Sequence, residues 1–175
     1  MAGAADRHHA VTSVAAPAAT GFGALRNAAL AVPPPLIALA LAGTALAGHY
    51  TLWGSSSPWG RAGAAGALLA AAGWVWGLWA VALLRAAGTP IRPRAMPLQL
   101  IEEGPYRFGR NPMYLGITVM LLGTALGLGT PLLTASAVAF AAIVNAVHVP
   151  HEEDRMTRRF GGWYRDYARA TRRWL

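Results

Sequence analysis

Residues 104–116 have the sequence Gly-Pro-Tyr-Arg-Phe-Gly-Arg-Asn-Pro-Met-Tyr-Leu-Gly, a polar turn with two arginines that leads directly into an apolar run. No Asp, Glu, Lys or Arg occurs from residue 111 to residue 151, and the carboxylate pair Glu152 and Glu153 follows at once. Such a run is typical of a membrane segment, since about 20 apolar residues span a bilayer as a helix. If the run crosses the bilayer and returns, Arg110 and the two glutamates meet at the same membrane face. The sequence therefore predicts a polar site at the edge of a low-dielectric medium.

The composition is typical of an integral membrane protein. The 175 residues suit a single domain, 55% of them are hydrophobic, and the mean hydropathy is +0.36. Charged residues are absent from the runs 27–60, 62–84 and 111–151. The chain contains no cysteine, which excludes disulfides, thiol nucleophiles and cysteine-ligated metals.

The basic residues indicate how the chain is oriented. All fifteen are arginine and the formal net charge is +8, a usage that in an alanine-rich chain is typical of a GC-rich bacterial coding sequence. Five arginines lie between residues 85 and 110 and seven follow residue 150, whereas Arg61 alone lies on the opposite side. Because cytoplasmic loops prefer arginine, we expect a bacterial inner-membrane protein with both termini in the cytoplasm. The same preference accounts for the positive charge, so we expect no nucleic-acid partner.

The predicted fold is all-α, with four transmembrane helices, the last two forming a helical hairpin, and a cytoplasmic amphipathic C-terminal helix. Residues 1–26 are expected to form a flexible cytoplasmic N-terminal tail, and residues 27–175 a single transmembrane domain. The predicted spans run from about residue 33 to residue 50 or 53, then over 62–87, 112–128 and 131–149.

Two further patterns concern the packing of these helices. Gly73 and Gly77 form a small-xxx-small motif, which favours close approach of another helix. The C-terminal helix carries apolar and aromatic residues on one face and arginines on the other; these are Met156, Phe160, Trp163, Tyr164, Tyr167 and Trp174, and Arg158, Arg165, Arg169 and Arg172. Gly161 and Gly162 indicate that it could divide into two shorter helices. An aromatic stripe of this kind is equally typical of an interfacial anchor.

The residues expected at the membrane face suit a zwitterionic cofactor. No serine lies beside a histidine and an acid, and no glycine-rich phosphate loop follows a strand. Arginine binds carboxylates in bidentate geometry, carboxylates bind ammonium and ribose hydroxyl groups, and aromatic faces attract a sulfonium cation. S-adenosylmethionine carries all of these groups, and methyl transfer from it requires positioning rather than a covalent protein group.

Four motifs in the second half of the chain then indicate a family. They are Gly104-Pro-Tyr-Arg107, Arg110-Asn-Pro-Met-Tyr-Leu-Gly116, Glu152-Glu153 after an apolar hairpin, and Phe160-Gly-x-x-Tyr-x-x-Tyr167. In this order they resemble the isoprenylcysteine carboxyl methyltransferase family, which includes bacterial phospholipid-methyltransferase-like relatives. The resemblance implies a membrane enzyme that transfers a methyl group from S-adenosylmethionine to a lipophilic or membrane-delivered acceptor, either an isoprenylcysteine-type carboxylate or a lipid amine. It also implies that the cofactor is bound by the half of the chain at 88–175.

Site residues are implied by the same resemblance, position by position. Those implied to bind the cofactor are Tyr106, Arg110, Asn111, Tyr114, Leu115, Gly116, His151, Glu152 and Glu153. Those implied to bind the substrate are Phe160, Tyr164 and Tyr167, and catalysis is assigned to Arg110 and Glu153. Asn111 departs from the family, since eukaryotic members carry histidine there, and an amide donates hydrogen bonds but does not take up a proton.

Each motif also has a simpler interpretation. The arginines could mark topology, the Asn-Pro pair could begin a helix, and the glutamates could form a solvated pair. His148, His151 and Glu152 have a spacing that could bind a metal, although we predict none. Two alternative functions are a membrane NADPH-dependent sterol-type reductase and a non-enzymatic helical membrane partner protein.

Overall fold

The structure is a computed structural model that describes residues 21–56, 62–89 and 98–175. Within these ranges every regular element is helical, which confirms the all-α prediction. The helices are α1 (Gly21–Ala31), α2 (Pro34–Trp53), α3 (Gly63–Ala86), α4 (Pro112–Leu128), α5 (Pro131–Ile143), α6 (Val149–Phe160) and α7 (Gly162–Ala170). A 3₁₀ turn (Gly104–Arg107) precedes α4, and a π-helical turn (Val144–His148) joins α5 to α6.

Three helices of the described chain are long and apolar enough to cross a membrane. They are α2, α3 and the continuous helix Pro131–Phe160, which comprises α5, the π-helical turn and α6. Helix α4 is apolar but shorter, with 17 residues. Three apolar helices of this length indicate an integral membrane protein, and the four predicted spans correspond to three candidate spans and one shorter helix.

Two helix ends differ from the prediction. The helix expected to end near residue 149 continues to Phe160, although Pro150 lies inside it. Proline lacks an N–H and its ring crowds the preceding turn, and the wider π-helical turn directly before it provides the room. At the other end of the chain, residues 21–26 are predicted to lie in the tail, but the structure places them in α1, whose alanine and leucine content favours a helix.

Some predictions fall on residues that the structure does not describe. The tail at 1–20, the turn at 57–61 with Arg61, and the loop segment 90–97 with Arg92 and Arg94 lie outside the described ranges. The predicted break at Gly161 and Gly162 lies inside them, and the structure has Gly161, with a φ of 57°, between α6 and α7.

Helices α3 and α4 pack backbone against backbone through glycines, as the Gly73 motif indicated. A Cβ atom on Gly73 would lie 2.5 Å from the Met120 nitrogen, and one on Gly116 would lie 2.7 Å from the Gly73 carbonyl oxygen. Near the other end of the pair, a Cβ on Gly123 would lie 2.2 Å from the Ala70 nitrogen. Only glycine allows this approach, which places the first turns of α4 beside the middle of α3.

The chain then turns back along α4 and packs on α2. Gly129 ends α4 in the left-handed conformation, with a φ of 64°, and α5 begins two residues later. Ser136 donates to the Leu41 carbonyl at 3.0 Å, which joins α5 to α2, and Phe140 is fully buried in the core formed by these helices. This return brings α6 to the level at which α4 began.

Candidate functional site

The residues at the start of α4 contact those at the start of α6. Arg110 Nη2 lies 3.2 Å from Glu153 Oε1, and the two side chains are 15% and 19% exposed. Arg110 Nη1 also donates to the Tyr164 hydroxyl at 3.4 Å. Tyr114, in the first turn of α4, donates its hydroxyl to Glu152 Oε1 at 2.5 Å. The meeting of Arg110 with the glutamate pair, expected for a segment that crosses and returns, is present.

A second arginine, which lies outside the sequence motifs, holds Glu153 more closely. Arg173 Nε donates to Glu153 Oε1 at 3.1 Å and Arg173 Nη2 to Glu153 Oε2 at 2.7 Å, a bidentate pair. These hydrogen bonds raise the pKa of the Arg173 guanidinium above its ordinary value. Two guanidinium groups therefore neutralise Glu153, whereas the hydrogen bond at Glu152 comes from a neutral hydroxyl.

Asn111 stands at the N-cap position of α4, but its side chain does not cap the helix. Its Nδ2 donates instead to the Arg173 carbonyl at 2.9 Å, and the Arg110 backbone N–H donates to the Arg172 carbonyl at 3.0 Å. The amide predicted to bind the cofactor is thus engaged by the chain that follows α7.

The segment after α7, residues 171–175, lies against the turn before α4. A Cβ atom on Gly109 would lie 1.7 Å from the Trp174 carbonyl oxygen, so only glycine permits this contact. The Trp174 indole N–H donates to Asn145 Oδ1 at 3.2 Å in the π-helical turn. Sequence patterns do not reveal the segment because it is not helical: they place Arg172 and Trp174 on the faces of a helix and assign no role to Arg173.

The aromatic residues implied to bind substrate join α6 and α7 to the segment before α4. Phe160, Tyr164 and Tyr167 pack around Leu100, and the Tyr167 hydroxyl donates to the Tyr106 carbonyl at 2.7 Å. Burial raises the pKa of the Tyr106 and Tyr167 hydroxyls, so both stay protonated at neutral pH. These contacts hold the two segments together, and substrate binding by the same residues stays a prediction.

Three further residues predicted to bind the cofactor are next to the site residues, and each has a different environment. A Cβ atom on Gly116 would overlap backbone atoms of α3, so the observed role of this glycine is to allow α3 and α4 to pack closely. Leu115 and His151 are partly buried, beside Tyr114 and Glu152 in sequence. In the parts of the chain that the structure describes, no three His, Asp or Glu side chains converge as a metal site would require.

Three buried nitrogen atoms in this region have no hydrogen-bond partner among the described residues. They are Arg110 Nε, Trp76 Nε1 and His148 Nδ1. The Trp76 ring lies 5.8 Å from the ring of Phe108, which is itself in the turn before α4. Because buried donors are normally satisfied, a donor on Arg110 remains for a ligand or a water molecule.

An open groove of about 570 Å³ lies along residues 99–103, the segment that leads into the 3₁₀ turn. Its lining is mixed, with polar atoms from one amide and two carboxylates beside apolar and aromatic side chains, and consists of Leu83, Ala86, Ala87, Gln99, Leu100, Ile101, Glu102, Glu103 and Trp163. Ile101 and Leu83 also pack against Tyr106, so two residues that line the groove contact a predicted site residue.

Comparison with known proteins is consistent with this geometry. A sequence profile of the family described as phospholipid methyltransferase matches residues 62–162. Protein-S-isoprenylcysteine O-methyltransferase B of Arabidopsis thaliana is 37% identical over 73 residues, which is 40% of this chain and 36% of that protein. Form A of the same plant is 38% identical over 74 residues, again 36% of that protein, so the match spans about a third of these relatives. An uncharacterized protein of Haemophilus influenzae is 35% identical over 63 residues, its whole length, and no solved structure matches significantly.

Proposed function

This chain belongs to the phospholipid methyltransferase family, and from that premise we propose that it transfers a methyl group from S-adenosylmethionine to a lipophilic acceptor at the cytoplasmic membrane face. The observation that carries the proposal is the contact of Arg110 with Glu153 beside that of Tyr114 with Glu152. All four residues lie within the part of the chain that the family profile matches. They combine a cation, two carboxylates and an aromatic hydroxyl in one largely buried place.

The residues present fit the cofactor. Arg110 would bind its carboxylate, since the Nε of this residue has no partner in the described chain and arginine suits carboxylates. Glu152 would bind its ammonium or ribose hydroxyl groups, and the N-terminus of α4 adds a positive dipole end that favours an anion. When bound, the cofactor supplies a methyl group on a sulfonium cation, and the protein needs to position it rather than form a covalent bond.

The two glutamates suit different tasks. Glu153 is neutralised by Arg110 and Arg173, so its contacts support a binding role rather than acceptance of a proton from an amine substrate. Glu152 accepts from the neutral Tyr114 hydroxyl and is the better proton acceptor. A substrate that is methylated on an amine would need Glu152 to accept its proton, whereas a substrate that is methylated on a carboxylate needs no base.

The groove beside the Tyr106 segment supports a lipophilic acceptor. The apolar part of its mixed lining includes the last turns of α3, a candidate membrane span, so an amphiphile could reach it from the bilayer edge. The carboxylates of Glu102 and Glu103 on the same groove favour an acceptor with a cationic amine over one with a carboxylate.

We also propose that α4 crosses the membrane as a fourth span. Its 17 residues would be about 25 Å long, close to the hydrocarbon thickness of about 30 Å. The arginines near residue 110 and after residue 150 then lie on the cytoplasmic side of a bacterial inner membrane.

Calorimetric titration of the purified chain with S-adenosylhomocysteine and with NADPH tests the function. We expect S-adenosylhomocysteine to bind, and Arg110→Ala and Glu152→Gln each to weaken binding more than tenfold, or about 1.4 kcal/mol. Binding of NADPH alone would indicate a reductase, and binding of neither ligand would indicate a non-enzymatic helical protein. A screen of lipid amines and isoprenylcysteine analogues with labelled cofactor then identifies the acceptor.

A further inference from the structure

The segment after α7 makes contacts that the family match does not assign, because the match ends at residue 162. We propose that Arg173 is a positioning residue of the cofactor site, which fixes the carboxylate of Glu153 against Arg110, and that residues 171–175 line one side of that site. This inference rests on the proposed function, and it adds a residue and a segment that the sequence motifs do not contain.

The backbone of the segment is fixed on both sides of Arg173. The Arg110 N–H donates to the Arg172 carbonyl, the Asn111 side chain to the Arg173 carbonyl, and Trp174 to Asn145. Two of these donors belong to the turn that begins α4, the part of the chain richest in predicted site residues. The position of the Arg173 side chain is therefore determined by the site itself.

The side-chain geometry shows what Arg173 does to Glu153. Both carboxylate oxygens accept from Arg173, and Oε1 is shared with Arg110. A single contact with Arg110 would leave the carboxylate free to rotate, whereas the bidentate pair fixes its plane. Lysine would supply the same charge without two parallel N–H groups, so it should restore the function only in part.

A purely stabilising role predicts a different outcome. The Arg173 side chain is 38% exposed, and ion pairs open to solvent contribute little to the free energy of unfolding. If Arg173 positions Glu153, its loss should change cofactor affinity far more than it changes the melting temperature.

The experiment compares Arg173→Ala, Arg173→Lys and Arg169→Ala in the full chain in lipid nanodiscs. Arg169 is the matched control, because it forms a 2.9 Å pair with Asp166 that is highly exposed on α7. We expect Arg173→Ala to raise the dissociation constant of S-adenosylhomocysteine about tenfold, Arg173→Lys to raise it less, and Arg169→Ala to leave it unchanged, with similar melting temperatures for all. We also expect Glu153→Gln to remove most of the effect of a further Arg173→Ala change, since the two residues act as one unit.

The outcomes separate this inference from the proposed function. If the unaltered chain fails to bind S-adenosylhomocysteine, the proposed function is wrong and the inference falls with it. If the unaltered chain binds and Arg173→Ala binds equally well, the inference alone is wrong. A loss of affinity matched by an equal loss in Arg169→Ala, or accompanied by a large fall in melting temperature, also contradicts it. Should Arg173→Ala fail to fold, Arg173→Lys alone and Arg173→Lys combined with Glu153→Gln still decide the question.

Discussion

Tyr114 is the residue through which the helix α4 reaches the glutamate pair. Its ring is buried against the rings of Phe140 and His148, at centroid distances of 6.5 Å, and its hydroxyl meets Glu152. The ring thus belongs to the core while the hydroxyl belongs to the site. A substitution that removes only the oxygen therefore separates the two roles.

We predict that Tyr114→Phe raises the dissociation constant of S-adenosylhomocysteine about tenfold, or about 1.4 kcal/mol, because Glu152 loses the donor that orients it. Calorimetry measures the change, and Tyr50→Phe on an exposed part of α2 is the control. Equal affinity in both variants would show that the Tyr114 hydroxyl does not support the site.

We predict that Asn111→Asp loosens the segment 171–175. Aspartate caps a helix as well as asparagine, so the start of α4 should persist, but its oxygen cannot donate to the Arg173 carbonyl. Hydrogen exchange measured by mass spectrometry should be about tenfold faster at the Arg110 amide and in the C-terminal peptide, equivalent to about 1.4 kcal/mol. Asn27→Asp, on an exposed position of α1, adds the same charge and should leave the exchange there unchanged.

Residue types alone predicted the meeting of Arg110 with Glu152 and Glu153, because a charge-free run between charged ends allows few other arrangements in a membrane. They did not predict the part taken by Arg173. A residue after the last helix has no periodicity that points toward a partner, and its contact depends on where α7 ends in space.

At the scale of elements, the glycines decide which helices touch. The motif at Gly73 and Gly77 was visible in the sequence, and the structure shows α4 as its partner. The continuation of α5 into α6 was not visible, since Pro150 indicates a helix end unless the preceding turn widens.

We predict that Gly123→Ala destabilises the fold by on the order of 1–3 kcal/mol, because the new methyl would meet the backbone of Ala70, which no rotamer change can move away. Thermal unfolding in detergent measures this. Gly43→Ala on α2 is the control, since nothing lies within 4 Å of its Cβ position and alanine favours a helix. A melting temperature for Gly123→Ala equal to that of Gly43→Ala would show that α3 and α4 do not pack closely in the membrane.

At the scale of the whole molecule, the two ends of the helix bundle differ in charge. Arginines and glutamates surround the start of α4 and the start of α6. At the other end, the Ala62 N–H donates to the Leu126 carbonyl at 3.3 Å, so the start of α3 meets the end of α4. The described residues at this end carry no charge, and the sequence adds one arginine, Arg61. If α4 is a fourth span, the end of α2 and the end of α4 face the same compartment, opposite the candidate site.

The chain has no cysteine, so single introduced cysteines test this arrangement without background. We predict that Ser56→Cys, after α2, and Leu128→Cys, at the end of α4, react with a membrane-impermeant maleimide in intact cells, because both positions are exposed at the end away from the arginines. Asp166→Cys on α7, also exposed, should react only after the membrane is opened. Labelling of Leu128→Cys only in opened membranes, with Ser56→Cys labelled in intact cells, would show that α4 enters the membrane and does not cross it. The Arg110 turn and the Glu152 pair would still lie together, since their contact depends on the packing of α4 and α6 and not on the depth that α4 reaches.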